Sequence, residues 1–600
     1  MNMDISAETL IRNPLLTALK AKIDAAQAVS FDFFDTLFVR PLVSPEDAFD
    51  LLGARFNIAN FRQLRRQAQT LAFQRMHEQG RKEITLAGIY DCLPAQAVPT
   101  ATLMQAEYDL ELALVFPNSE LVALFKELVT SGKPVVLTSD MYFSAAFFEA
   151  ALARFDLPTI PVFSSADCNA TKRDSGEIFL QVAEHLQLPP EQILHIGDNE
   201  RADVIQPKAR GLKTFFYQEQ RPPLLSKAHS PEASLAAGLQ RDYKEHFAPD
   251  SFAELGFAYG GPAAVGFLDW LVEQAQQDKI ERVLFLSRDG YVLQQLAEQL
   301  PAGSLPEFEY FKGSRIAFYM SAITDANFAH FIPFMLSGAE GLTPAELLLR
   351  LGVTPPSDTV LANIGLGSEV RVSQSIMSKL SQFLWAWRFT ILQVCCENRR
   401  ALYQYLHDLG IGPGTKVALV DVGWSGTTQD SFEQAMAQLF ELEVVGYYFC
   451  LANTLERQER EQRNSMKALI GSPTISHKKV NQVYDNRVAA ELFFSAPHQT
   501  VIGFTTNAQG KLEAREDTRL PADLMVEENN ELARGIMLFA KAYQDWCARL
   551  QFVPQPLGTV EPLVTFMTET PWQDHPCLAE LHNFDGWSYT VNKNAMLGEY

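Results

Sequence analysis

The sequence is short of cysteine, of long apolar runs and of positive charge. Its 600 residues hold 7 Cys, at Cys92, Cys168, Cys395, Cys396, Cys450, Cys547 and Cys577. No two stand at CxxC spacing, so neither a zinc module nor a dithiol redox motif is indicated. This cysteine usage fits a reducing compartment, and a cytoplasmic protein is expected. No run of about 18 uncharged apolar residues occurs, so no membrane span is expected. The longest candidate, 256–268, is interrupted by Gly260, Gly261 and Pro262. The first residues carry Asp4, Glu8 and Arg12, unlike a secretion signal. Lys and Arg number 50 against 72 Asp and Glu, a formal charge of −22. That excess repels phosphate backbones, and no nucleic-acid duplex is expected as a partner. A small basic pocket for one phosphate ester remains compatible with it.

What is present is ordinary globular material: 47% hydrophobic and 20% charged residues. General disorder and a coiled-coil rod are excluded. The length suggests about three to five domains, and no internal repeat is seen. Residues 1–27 read as a helix leading into a strand. Residues 28–220 alternate apolar strands with helical patterns, the mark of a parallel sheet. Residues 42–118 interrupt them as a helical insertion. Residues 221–254, polar around Pro222-Pro223, read as a linker. A second α/β segment spans 255–475, with strands expected at 283–287, 309–311, 416–421 and 444–450 and a helical insertion at 330–410. Residues 476–600 are mixed, without a motif.

Four pieces of the first segment point to one chemistry. In Val29–Leu37 an apolar strand runs into Asp32, with Phe33, Phe34 and Asp35 behind it. A carboxylate at the end of a parallel strand sits where open α/β sheets bind ligands. In Pro134–Asp140 a second strand ends in Thr138 and Ser139. Those hydroxyls can bond a phosphoryl oxygen or cap the next helix. Lys172 and Arg173 follow, either of which can neutralise a phosphoryl group. Last, Ile193–Asp203 ends a strand in Gly197-Asp198, with Asp203 five residues on. Two carboxylates on one loop suit Mg²⁺, a hard cation that prefers oxygen ligands.

In this order and spacing the set resembles the haloacid dehalogenase superfamily, over about residues 28–217, with 42–118 where that superfamily carries a helical cap. The resemblance implies that Asp32 is the nucleophile and forms a phospho-aspartate. It implies that the Phe34 carbonyl and Asp198 ligate Mg²⁺ alongside Asp32, and that Asp203 ligates it or supports the ligands. Ser139, or Thr138 in the other register, would hold the phosphoryl group. Lys172 would stabilise its charge, with Arg173 as the alternative. A carboxylate is a weak nucleophile toward an anion, so the cations are a physical requirement. One departure stands out: phosphatases of the superfamily usually carry an acid-base Asp where this chain has Phe34. Loss of such a group costs about 10²–10⁴-fold in rate. A phosphohydrolase or phosphotransferase on a small phosphorylated metabolite, a dehalogenase, and a degenerate binding module all remain open. The Mg²⁺-suited Asp198 weighs against the dehalogenase.

In the second segment the strand Lys416–Asp421 runs into Val422-Gly423-Trp424-Ser425-Gly426-Thr427-Thr428, a loop of glycines and hydroxyls before a helix expected near Gln429. Backbone N–H groups there with Ser425, Gly426, Thr427 and Thr428 form a plausible anion nest. Upstream, Arg288 and Asp289 follow the strand at 283–287. Arg288 can contact a phosphate or pair with Asp289. This order is similar to the type I phosphoribosyltransferase fold, in which Asp421 would precede a phosphate loop. It departs from that fold at Val422, where a second acid is usual, and at Trp424. The similarity implies phosphoribosyl or glycosyl transfer as a further reading.

The phrases Ser30–Leu37, Leu286–Tyr291, Val420–Gly426 and Glu491–Pro497, in that order, resemble large bacterial predicted hydrolases of the haloacid dehalogenase superfamily. Those are often associated with surface-polysaccharide genes, which implies polysaccharide-biosynthesis enzymes as partners. The expected fold class is therefore α/β: a haloacid dehalogenase-like parallel sheet with a helical cap, then a second, phosphoribosyltransferase-like α/β domain with a helical insertion. His195, Cys395-Cys396 and Phe143, Phe147, Phe148 and Phe155 read as core.

Overall fold

The computed structural model describes residues 14–219, 221–507, 509–519, 521–581 and 596–597. Residues 1–13 of the expected first helix lie outside them; Pro14–Asp24 is helical. The chain divides into two compact units. The first comprises residues 1–244 with 543–554, the second 245–542 with 555–600.

The first unit is built on five parallel strands: β1 (Ala28–Phe31), β2 (Val135–Ser139), β3 (Val162–Ser164), β4 (Ile193–Gly197) and β5 (Lys213–Phe216), in the order β3-β2-β1-β4-β5. β1, β2 and β4 are buried at every residue because helices cover both faces, which is why they read as unbroken apolar runs. Phe31 is paired with Leu137 on one side and Ile196 on the other. This register brings the C-terminal ends of the three strands to one edge, and with them Asp32, Ser139 and Gly197-Asp198. The chain leaves for the cap through Phe38–Val39 and returns through Phe116–Pro117, which pair antiparallel. Between them lie the helices Asp47–Phe56, Phe61–Glu78, Leu86–Tyr90 and Thr100–Leu114.

Residues 221–254 are not an extended linker. Pro231–Gly238 and Gln240–Tyr243 are helices, and Ala233, Leu235 and Ala236 are fully buried. Small residues made this stretch look featureless in sequence, yet they allow close packing: a Cβ on Gly238 would stand 2.1 Å from the Pro41 carbonyl carbon. The unit boundary falls at Lys244.

The second unit carries β6 (Arg282–Leu286), β7 (Glu307–Phe311), β8 (Lys416–Trp424), β9 (Glu443–Leu451) and β10 (Ser465–Ile470), all parallel, in the order β10-β9-β8-β6-β7. β8 runs three residues past its expected end, so Asp421 sits inside the strand, and the following helix opens at Thr427. The insertion is helical: Phe328–Leu336, Pro344–Arg350, Asp358–Asn363, Met377–Ala386 and Arg388–Asp408. One helix, Phe252–Asp278, is long and apolar enough to cross a membrane by length and composition, and 78% of its apolar window is buried. Gly260 and Gly261 do not break it. They bring its backbone against Ile536 and Phe539, where a Cβ on Gly261 would stand 2.4 Å from Phe539 Cβ. Its apolarity is that of a core helix.

Candidate functional site

At the C-terminal edge of the first sheet, Asp32 is 8% exposed. Its Oδ1 accepts from the Phe33 backbone N–H and from Lys172 Nζ, each at 2.8 Å. Lys172 Nζ also donates to Asp203 Oδ1 at 2.6 Å. Asp203 is further held by His195 Nε2 at 2.9 Å and by the Asn199 N–H at 2.9 Å. Asp198 receives a bond from Thr36 at 3.3 Å. Ligand oxygens of Asp32, Asp198 and Asp203 all lie within 4.8 Å of one another.

The charges are unbalanced. Burial pushes Asp32 well above its ordinary value, Lys172 opposes this, and Asp203 and Asp198 add to it. Asp198 is pushed up to about 6 by burial and by Asp35 and Asp203. Asp203 goes the other way: against the cost of burial, Lys172 and His195 hold it below the carboxylate range. Lys172, though buried, stays charged because Asp203, Asp32 and Asp140 surround it. One ammonium facing three carboxylates leaves negative charge that a divalent cation matches, and an all-oxygen donor set suits Mg²⁺ or its like.

The two open choices in the sequence receive different geometry. Thr138 Oγ1 bonds Ser30 Oγ at 2.8 Å, and Ser30 Oγ bonds His195 Nδ1 at 2.8 Å, inside the sheet. Alternation places Ser139 on the opposite face of β2. The Arg173 guanidinium is occupied by Glu83 of the cap, at 2.7 and 3.0 Å, and by Asp140 at 3.3 Å. Lys172 is the cation on Asp32. Asp140, just after β2, accepts from the backbone N–H groups of Lys172 and Arg173 at 2.6 and 2.8 Å and so sets that turn. The sequence predicts His195 as a satisfied core residue. It is fully buried and bonded on both nitrogens, but one bond steadies Asp203. Nothing local in the sequence signals either role.

Phe34 is held by rings, with Phe33 at 4.8 Å and Phe147 at 6.2 Å, and by the Arg40 guanidinium 4.1 Å from its centroid. Asp35, next along, has φ 55°, the left-handed turn that ends the strand's alternation. Its charge is felt by both Asp198 and Arg40.

Residues 26–209 match the family model described as haloacid dehalogenase-like hydrolase. This stretch is a haloacid dehalogenase-like domain. None of the curated proteins matches the chain. Among solved structures, the L-2-haloacid dehalogenase from Xanthobacter autotrophicus is 18% identical, with 32% of this chain and 79% of that one covered and a TM-score of 0.25. A haloacid dehalogenase-like family hydrolase from Xanthomonas campestris is 20% identical, covering 37% and 94%, with a TM-score of 0.24. A HAD family enzyme from Bacteroides thetaiotaomicron is 16% identical, covering 33% and 96%, with a TM-score of 0.26.

In the second unit, Arg288, Asp421, Ser425, Thr427 and Thr428 line one cavity of about 330 Å³, together with Asp289, Arg315, Arg487 and Glu491. Gly426, at φ 68°, caps the helix that begins at Thr427. Asp289 and Asp421 both line this cavity and their charges interact. Burial and the adjacent Asp421 push Asp289 up to about 8. Burial raises Asp421 to about 6. The sequence showed the hydroxyl loop but not this carboxyl pair, because the two acids are 132 positions apart and meet only across β6 and β8.

Proposed function

We propose that the haloacid dehalogenase-like domain is a Mg²⁺-dependent phosphohydrolase or phosphotransferase acting on a small phosphorylated metabolite through Asp32. The observation that carries this reading is the cluster of Asp32, Asp198 and Asp203, with Lys172 paired to Asp32 and Asp203 as its cation. Displacing a halide by a carboxylate requires no such excess of negative charge beside the nucleophile.

Asp32, Asp198 and the Phe34 carbonyl would hold the cation, with Asp203 supporting them because its oxygens already serve Lys172, His195 and Asn199. When bound, the metal would withdraw charge from the phosphoryl oxygens and keep Asp32 ionised. The remaining work falls to the chain. Lys172 and Ser139 would orient the phosphoryl group. An Asp32 oxygen attacks phosphorus and the bond to the leaving oxygen breaks. Water, or an acceptor hydroxyl, then attacks phosphorus and releases Asp32. Phe34 cannot deliver a proton to the leaving oxygen, so the reading favours good leaving groups or protonation by solvent.

The test is phosphate release from a panel of sugar phosphates, nucleotides and p-nitrophenyl phosphate, with and without Mg²⁺, wild type beside Asp32→Asn. Turnover that requires Mg²⁺ and is lost in the variant supports the reading. Halide release from 2-chloropropionate without Mg²⁺ would replace it.

A second reading, phosphoribosyl or glycosyl transfer, is favoured by the gathering of Arg288, Asp421, Ser425, Thr427 and Thr428 round one cavity. Binding of phosphoribosyl pyrophosphate that survives Asp32→Asn and is lost in Thr428→Val would support it.

A further inference from the structure

The loop between the cap helices Phe61–Glu78 and Leu86–Tyr90 lies against the sheet domain beside the first site. Part of its docking is ordinary. Arg81 donates to the Ala166 carbonyl at 3.2 Å, and the Lys82 N–H donates to Asn169 Oδ1 at 2.9 Å. The Lys82 ammonium pairs with Glu177. None of these partners is next to Ser139 or Lys172 in the chain.

Glu83 is different. It is 2% exposed, and its carboxylate is fully engaged. Oε2 accepts from Ser165 Oγ at 2.8 Å and from Arg173 Nη1 at 2.7 Å. Oε1 accepts from Arg173 Nη2 at 3.0 Å and from the Ile84 N–H at 3.0 Å. A carboxylate has about four acceptor sites, and these bonds fill them. Two of the partners lead to the site. Arg173 follows Lys172, the cation on Asp32. Ser165 Oγ accepts from the Met141 N–H at 3.0 Å, just beyond Ser139 and Asp140. Asp140 joins the two ends: it accepts both N–H groups of the Lys172-Arg173 turn and meets the Arg173 guanidinium at 3.3 Å. One carboxylate of the cap therefore ties the turn after Ser139 to the turn that carries Lys172.

We propose that Glu83 is a positioning residue: from the cap, it fixes the two turns that aim Ser139 and Lys172 at the phosphoryl group. The proposal rests on the reading of Asp32 as the nucleophile of phosphoryl chemistry. Stability alone is a poor account of Glu83. A buried ion pair gains little over an apolar contact of similar volume, and the bonds of Arg81 and Lys82 already seat the loop. An apolar residue could not supply direction. The two-bond fork holds the plane of the guanidinium and keeps Arg173 occupied, which leaves Asp32 to Lys172. The bonds of Glu83 go to none of Asp32, Asp198 and Asp203, so its effect passes through Lys172 and Ser139. Such placement matters, because a shift of about 1 Å at a catalytic group can cost about 10²-fold in rate.

The experiment combines hydrogen exchange read by mass spectrometry with Mg²⁺-dependent turnover of p-nitrophenyl phosphate, both on the full chain. Glu83→Gln sets an amide donor against Arg173 or Ser165. Arg173→Lys keeps the charge but loses the fork. Lys82→Ala is the control, since it cuts a cap contact that reaches neither turn. The first two variants should speed exchange in the peptides holding Met141 and Lys172-Arg173 by about tenfold or more, the scale of one lost charge-assisted bond. Peptides of β1 and β5 should exchange as in the wild type. Both variants should lower kcat and kcat/KM together by about tenfold or more, and Lys82→Ala should match the wild type throughout. The proposal is overturned if Glu83→Gln leaves those two peptides unchanged, or if their exchange quickens without loss of turnover. It is also overturned if Lys82→Ala reproduces the effects. A lower melting temperature with faster exchange across the whole domain, at unchanged turnover per folded molecule, would make Glu83 merely structural and overturn it too. If the wild type itself releases no phosphate, the reading of Asp32 fails, and the exchange measurement alone decides whether Glu83 fixes the two turns.

Discussion

Lys172 gives the sharpest test of the first site. Its side chain is 2% exposed and bridges Asp32 at 2.8 Å and Asp203 at 2.6 Å. Replacing it by Met keeps the volume but leaves the buried carboxylates without their cation. Breaking a buried pair by removing one partner costs about 3–5 kcal/mol. At about 2–4 °C per kcal/mol for a unit of this size, the first unit should melt roughly 6–20 °C lower at pH 8. The sign with pH follows from the same charges. Without Lys172, Asp203 loses the partner that holds its carboxyl low. The folded variant then relieves its repulsion by taking up protons, so the deficit should shrink at pH 5. Lys172→Met with Asp203→Asn should recover part of the loss, because one of the repelling charges is gone and contacting residues couple by about 0.5–3 kcal/mol. Calorimetry of the full chain at both pH values reads all of this. A single variant that melts with the wild type at pH 8, or a double variant whose losses simply add, would refute the picture of Lys172 as the counterion of a buried acid cluster.

Phe34→Asp should narrow the preference for p-nitrophenyl phosphate over a sugar phosphate at least tenfold, since it supplies a proton donor where none stands; an unchanged ratio in steady-state kinetics would mean that Arg40 has captured the new carboxylate. Mg²⁺ affinity, followed by calorimetry, should fall as pH drops through about 6, where protons compete for Asp198, and Asp198→Asn should weaken it at every pH. In the second unit, Asp289 is raised from 3.8 to about 8, so the folded state holds a proton that the unfolded chain has lost. Stability should therefore fall with rising pH across that window, by up to about 1.4 kcal/mol per pH unit. Asp289→Asn should flatten the slope, and denaturant titrations at pH 5 and pH 8 measure it.

The first sheet and the carboxylates at its edge were legible in the sequence. Strands buried on both faces must be continuous apolar runs, and a parallel sheet must expose its strand ends, so Asp32 and Asp198 were legible beside Val29–Phe31 and Ile193–Gly197. The helical cap was legible because it interrupts a strand alternation. The sequence could not show that residues 231–243 form packed helices, since alanine and serine carry little periodic signal, nor that Gly260-Gly261 joins helices where it was expected to break one. It could not choose between Lys172 and Arg173, because adjacent cations differ only in where the turn aims them; Asp140 and Glu83, distant in the chain, make that choice. Contacts across the second sheet, not local pattern, brought Asp289 to Asp421. Local pattern fixes which residues end a strand or line a helix. Which ends and faces meet depends on sheet order, and that is decided by contacts between segments far apart in the chain.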